Sequence, residues 1–202
     1  TMAKIANTAF EPRITNGRFD DEINVAGVFY NSDTAEACAA GFLCTRDSRL
    51  GNEGYDNPSG TRVYNENAWK MVKATDAATM DDVIYACNTY DVQFVQADDG
   101  NLYAVGARTL GLPSIAGRPC TFTRIDFDGQ SVYRFGVGNL STSLSTNTYF
   151  PIANGLLVPA ASAPATAGAI YFELRGTGNF VEGNSASFGY VDVVGKKVSV
   201  AS

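Results

Sequence analysis

Every apolar run in this chain is short. Each alternates or clusters over a few residues before a polar or turn-forming stretch, and none keeps a helical period long enough for an amphipathic helix. Strands are predicted at residues 23–25, 27–30, 41–45, 68–72, 83–87, 92–95, 102–105, 120–127, 131–137, 170–174, 190–194 and 198–200. Residues 74–82 allow a single helical turn at most. Residues 46–62 are polar and rich in Gly and Asn, and read as a long surface loop. Such a sequence must bury its apolar faces sheet against sheet, so the expected fold class is all-β: a compact, barrel- or sandwich-like domain of short strands.

Turn chemistry refines the pattern. Asp98-Asp99-Gly100-Asn101 between two apolar runs predicts a hairpin, because Asp-Gly and Gly-Asn suit the positive φ of tight turns. Asp128-Gly129 predicts a second hairpin pairing residues 120–127 with 131–137. Gly176-Thr177-Gly178 reads as turn or bulge residues between the last two large strands. Residues 140–147 are rich in hydroxyls, and residues 159–169 are small and contain Pro, as in a linker or a flat-lying loop.

With 202 residues and 45% hydrophobic content, the chain can form one large β domain or two small ones. The expected division is an extended N-terminal arm (1–18), a β domain (19–95), and a second small β domain or a continuation of the same fold (96–202). The arm carries few large apolar groups, Ile5, Phe10 and Ile14 among them, with Pro12 and the turn pair Asn16-Gly17. It is either a short first strand of the domain or a segment that orders against a partner, with Ile5, Phe10 and Ile14 as anchors.

The residue types restrict the chemistry. The chain has no histidine, the usual general base and the commonest metal ligand, so Ser-His-Asp, Cys-His and His-metal sites are excluded. Carboxylate-pair glycoside hydrolysis survives that filter. Yet Asp98, Asp99, Asp126 and Asp128 all stand in turn contexts that explain them more simply. Asp126-Phe127-Asp128-Gly129 lacks the closing Glu of a calcium loop. Cys38, Cys44, Cys87 and Cys120 lack the paired spacing of zinc ligands. They are expected to be buried thiols of a protein made in a reducing cytoplasm, with a disulfide as the alternative. No phosphate-binding glycine motif occurs, and no cofactor is expected.

Net charge is −6, and the longest local basic excess is the pair Lys196-Lys197, so nucleic acid and anionic membrane are poor partners. No run of apolar residues is long enough to span a bilayer, and the first residues lack the apolar stretch of a secretory signal. Aromatics are plentiful. Tyr55, Tyr64 and Trp69 could supply a platform for a carbohydrate- or surface-binding module, whereas the alternation of Trp69 with Met71 points to core packing.

One set of short motifs is distinctive. Ala40-Gly41-Phe42-Leu43, then Ala68-Trp69-Lys70, then Asp81-Asp82-Val83-Ile84-Tyr85-Ala86 and Asp91-Val92 resembles the head (capsid) decoration proteins of tailed bacteriophages, over residues 1–95. The resemblance implies a β-rich, helix-poor virion protein with an extended N-terminal arm, made in the host cytoplasm. It implies a non-enzymatic role: a homo-oligomer, with a trimer favoured, that binds the major capsid protein or other virion proteins. Low charge density suits contact surfaces that must be desolvated, and an arm can add a strand to a neighbour's sheet.

Overall fold

The computed structural model describes residues 8–13, 24–50, 68–75, 82–88, 94–96, 102–104, 114, 116–182 and 185–199. The strands are β1 (Phe10–Arg13), β2 (Asn24–Asn31), β3 (Thr34–Ala35), β4 (Leu43–Arg49), β5 (Trp69–Lys73), β6 (Ile84–Cys87), β7 (Phe94–Gln96) and β8 (Leu102–Ala104). They continue with β9 (Cys120–Arg124), β10 (Val132–Gly136), β11 (Tyr149–Ala153), β12 (Leu156–Leu157), β13 (Ile170–Glu182) and β14 (Ser185–Lys197). A single 3-10 turn follows β10 at Val137–Asn139. The all-β expectation is met.

Five strands close a ring in the order β2-β5-β4-β6-β9 and back to β2. Antiparallel pairing reverses direction at each step, so five strands cannot close on antiparallel pairs alone. An odd number of parallel pairs is required, and β2–β5 supplies the one observed, from Gly27↔Trp69 to Phe29↔Met71. The ring is narrow at this seam. A Cβ on Gly27 would fall 2.4 Å from Met71 Cγ and 2.9 Å from Phe122 Cδ2.

A second sheet runs β1-β10-β14-β13-β11-β12, antiparallel throughout. Strand alternation then divides the apolar side chains between two cores. On β6, Tyr85 and Cys87 point into the barrel with Phe29, Met71 and Phe122. Ile84 and Ala86 point outward, into the core between the barrel and the second sheet, beside Phe135, Phe150, Phe172 and Val193. All four residues of β6 are therefore buried. Backbone bonds stitch the seam: Leu43 N–H to Gly155 O (2.9 Å) and Gly155 N–H to Ala74 O (3.0 Å).

Several sequence expectations change. Residues 120–124 and 132–136 do not pair. β9 closes the barrel against β2 and β6, while β10 lies in the second sheet between β1 and β14. The Asp128-Gly129 turn exists, with Gly129 at φ +76, but it carries the chain from one sheet to the other. Gly176 and Gly178 lie inside β13, opposite Asp192 and Tyr190 of β14 and next to a bulge, and do not form a turn. The polar stretch after residue 45 continues as strand to Arg49. Hydrogen-bonded strands span residue 95, because β9 belongs to the barrel, as in the alternative of one continued fold. β7 pairs antiparallel with β8, Val95 opposite Tyr103, while the expected turn at residues 98–101 lies outside the described residues.

Candidate functional site

The N-terminal segment is the first element to place. Residues 10–13 form the edge strand of the second sheet, Phe10 opposite Phe135 and Glu11 opposite Arg134. Phe10 is fully buried in the chain's own core, its ring 5.2 Å from that of Phe135. This assigns Phe10 to the core of the domain, where it cannot serve as an anchor on a partner. Ile5 and Ile14 lie outside the described residues.

The outer face of the same sheet holds a polar cluster that the sequence did not announce. Glu11, Arg134 and Asp192 stand side by side on β1, β10 and β14. The Arg134 guanidinium donates two bonds to Asp192, Nε to Oδ1 at 2.7 Å and Nη2 to Oδ2 at 2.8 Å, and reaches Glu11 at 4.0 Å. It also lies 3.5 Å from the ring centroid of Tyr190. Hydrogen bonding to Asp192 raises the Arg134 pKa further, against the opposing effect of burial. Tyr190 has room because its strand partner is Gly178, where a Cβ would meet the tyrosine hydroxyl at 2.4 Å. The cluster fastens the N-terminal strand and the long β13–β14 hairpin to the sheet between them.

A buried amide completes that fastening. Asn139 Oδ1 accepts from the Ala9 N–H (3.1 Å), and its Nδ2 donates to Ala40 O (2.7 Å). One side chain thus joins the N-terminal segment, the barrel and the second sheet.

Beyond this cluster the β13–β14 hairpin outruns its neighbours. β11 pairs only with Tyr171–Glu173 of β13, and one further bond, Leu174 N–H to Thr148 O, ends the contact. From Arg175 to Asn179 the edge of β13 facing away from β14 meets no other strand among the described residues. Arg175, Thr177 and Asn179 are exposed there. An open edge of this kind presents backbone N–H and C=O groups to an incoming strand.

The remaining candidates resolve into structural roles. Trp69 is half-buried against the barrel core, and the Arg46 and Arg49 guanidinium groups lie 4.6 and 5.3 Å from its ring centroid. Those cations already occupy the ring that a sugar would stack on, and Tyr55 and Tyr64 lie outside the described residues. Asp126 pairs with Arg124 at 3.2 Å. Asp128 Oδ1 accepts from the Gln130 and Ser131 N–H groups at 2.8 and 2.9 Å. Burial opposes ionisation of Asp128, but these bonds and the Ser131 hydroxyl outweigh it and hold the carboxyl below its ordinary value. A glycosidase acid needs the opposite shift.

The four cysteines, scattered in sequence, gather in the barrel. Cys38, Cys44 and Cys87 are buried in its core, and half-buried Cys120 packs against them. No disulfide joins them. Cys38 packs beside Cys44 and Cys87 in this core. Its bond to Cys44, together with burial, pushes its pKa well up, against the opposing effect of Cys87. No three His, Cys, Asp or Glu residues among those described are arranged to hold a metal ion.

No protein-family model matches the chain, and no match is found among curated proteins or solved structures.

Proposed function

We propose that this chain is a non-enzymatic virion structural protein that decorates or stabilises a phage capsid through multivalent protein contacts. The observation that carries the reading is the open edge of β13 from Arg175 to Asn179, on a hairpin whose strands are the longest among the described residues. Strand addition there needs backbone complementarity and little side-chain chemistry, which suits a chain whose described carboxylates serve turns and ion pairs. The motif resemblance supports the same reading. Its described segments lead into β4, β5 and β6, three neighbours in the barrel ring, while Asp81 and Asp91-Val92 lie outside the described residues.

The test is twofold. Sedimentation of the full chain should give a homo-oligomer, a trimer being favoured, and the chain should bind saturably to expanded capsids that lack their decoration protein. A chain that stays monomeric and ignores both capsids and purified virion proteins would sink the proposal. Because a partner strand must lie along the open edge, Thr177→Pro should weaken capsid binding while leaving the fold intact by circular dichroism.

A further inference from the structure

All four cysteines of the chain converge on one region of the barrel interior, although they are drawn from the segment before β4 and from β4, β6 and β9. We infer that this cluster is a redox-modification site, at which a low-molecular-weight disulfide reacts first with Cys120 and leaves a single intramolecular disulfide with Cys38 as one partner. The inference stands independently of the virion reading.

Graded exposure supplies the direction. Cys120 is half-buried, whereas Cys38 is 1% exposed and Cys44 and Cys87 are 0% exposed. An oxidant from solvent therefore meets Cys120 first. Cys87 is opposite Phe122 in the β6–β9 ladder, and Cys120 lies two residues from Phe122 on the same inward face. Cys87 and Cys120 are thus diagonal cross-strand neighbours. Cys87 Sγ in turn lies 3.8 Å from the Cys38 carbonyl oxygen, and Cys38, Cys44 and Cys87 pack in one buried cluster. Small buried thiols acting only as hydrophobes require neither this contiguity nor this gradient.

The chemistry balances by thiol–disulfide exchange. The Cys120 thiolate attacks one sulfur of the disulfide RSSR, forming a mixed disulfide and expelling RS⁻. A local shift of β9 against β6 brings this diagonal pair within bonding range, and Cys87 attacks the Cys120 sulfur and expels the second RS⁻. Cys38 attacks the Cys87 sulfur and regenerates the Cys120 thiolate. Further exchange with Cys44 keeps Cys38 as a partner. Two protein thiols are oxidised, one RSSR is reduced to two RSH, and the two protons released by the protein go to the departing thiolates.

The folded full chain is incubated with oxidised glutathione, its remaining thiols are counted after denaturation, and the disulfide is mapped by mass spectrometry without reduction. The expected product retains two of its four thiols, shows no link between chains, joins Cys38 to Cys87 or Cys44, and reverts on adding dithiothreitol. Cys120→Ser, confirmed folded by its thermal melt, should slow the reaction by about tenfold or more, because the accessible attacking thiol is gone. Cys120→Ala should do the same, which excludes an effect of the serine hydroxyl. Four thiols surviving in the wild type, a disulfide lacking Cys38, a bond between two chains, or an undiminished rate in both Cys120 variants would overturn the inference.

Discussion

Truncating Phe10 to alanine separates the two roles open to the N-terminal segment. As a partner anchor, Phe10 would be exposed in the free chain, and its loss would change stability by no more than about 0.5 kcal/mol. In the structure its side chain is 0% exposed and packs 5.2 Å from the ring of Phe135 and 6.1 Å from that of Tyr133. Removing a buried phenyl group from such a site costs about 3–5 kcal/mol, the transfer free energy plus the cavity left behind. β1 is a four-residue edge strand, so the cost cannot exceed the free energy that docks it. Once detachment is cheaper than keeping the cavity, the strand lifts. Urea unfolding followed by fluorescence should show the midpoint falling by about 1–2 M, for a slope of about 2–3 kcal/mol/M. Hydrogen exchange should accelerate at the β10 amides that bond to β1. A loss below about 1 kcal/mol with unchanged exchange would refute the placement of Phe10.

Two further perturbations test the seams. Burial of Tyr133, against the opposing bond from the Asp126 N–H, pushes its pKa to about 12 from an ordinary 10.0. The folded state therefore favours the protonated phenol, and this contribution is complete below about pH 10 and lost as pH rises towards 12. At most about 2.7 kcal/mol is at stake, two pH units at about 1.36 kcal/mol each; Tyr133→Phe should remove that alkaline loss in thermal melts run from pH 8 to 12. Asn139→Ala strands the Ala9 N–H and the Ala40 carbonyl in a buried site. It should cost about 2–3 kcal/mol by urea unfolding, whereas an isolated surface amide would cost almost nothing.

How far the sequence could be read depended on whether the deciding contact was local. The strands of the barrel showed themselves through short apolar runs, and the β7–β8 pairing through the Asp-Gly signal in the sequence between them. The same turn chemistry misled at Asp128-Gly129. A turn fixes a reversal of the chain, but the partners of β9 and β10 are β2, β6, β1 and β14, all remote in sequence. Asn154-Gly155, at φ +50 and +76, joins β11 to β12 and was a legible hairpin signal that went unused. Arg134 was invisible as a site residue, since a lone arginine in an alternating run reads as solvent-facing. Its carboxylate partner Asp192 is 58 positions away.

The convergence of the cysteines follows from ring closure and not from any spacing motif. β4, β6 and β9 are consecutive in the ring, and each carries one cysteine on its inward face: Cys44, Cys87 and Cys120. Alternation has period two, so a one-residue slip of any of these strands would turn its cysteine outward and its neighbour in. On β6 such a slip exchanges Tyr85 and Cys87 for Ile84 and Ala86, and both sets are apolar. Hydrophobicity alone therefore sets the register of β6 weakly. Size sets it instead, because the outward positions pack Ile84 and Ala86 against a sheet carrying Phe135, Phe150 and Phe172, where the larger Tyr85 would overpack the layer. The thiols are inside the barrel because the bulky side chains of the second sheet hold the strands in that register.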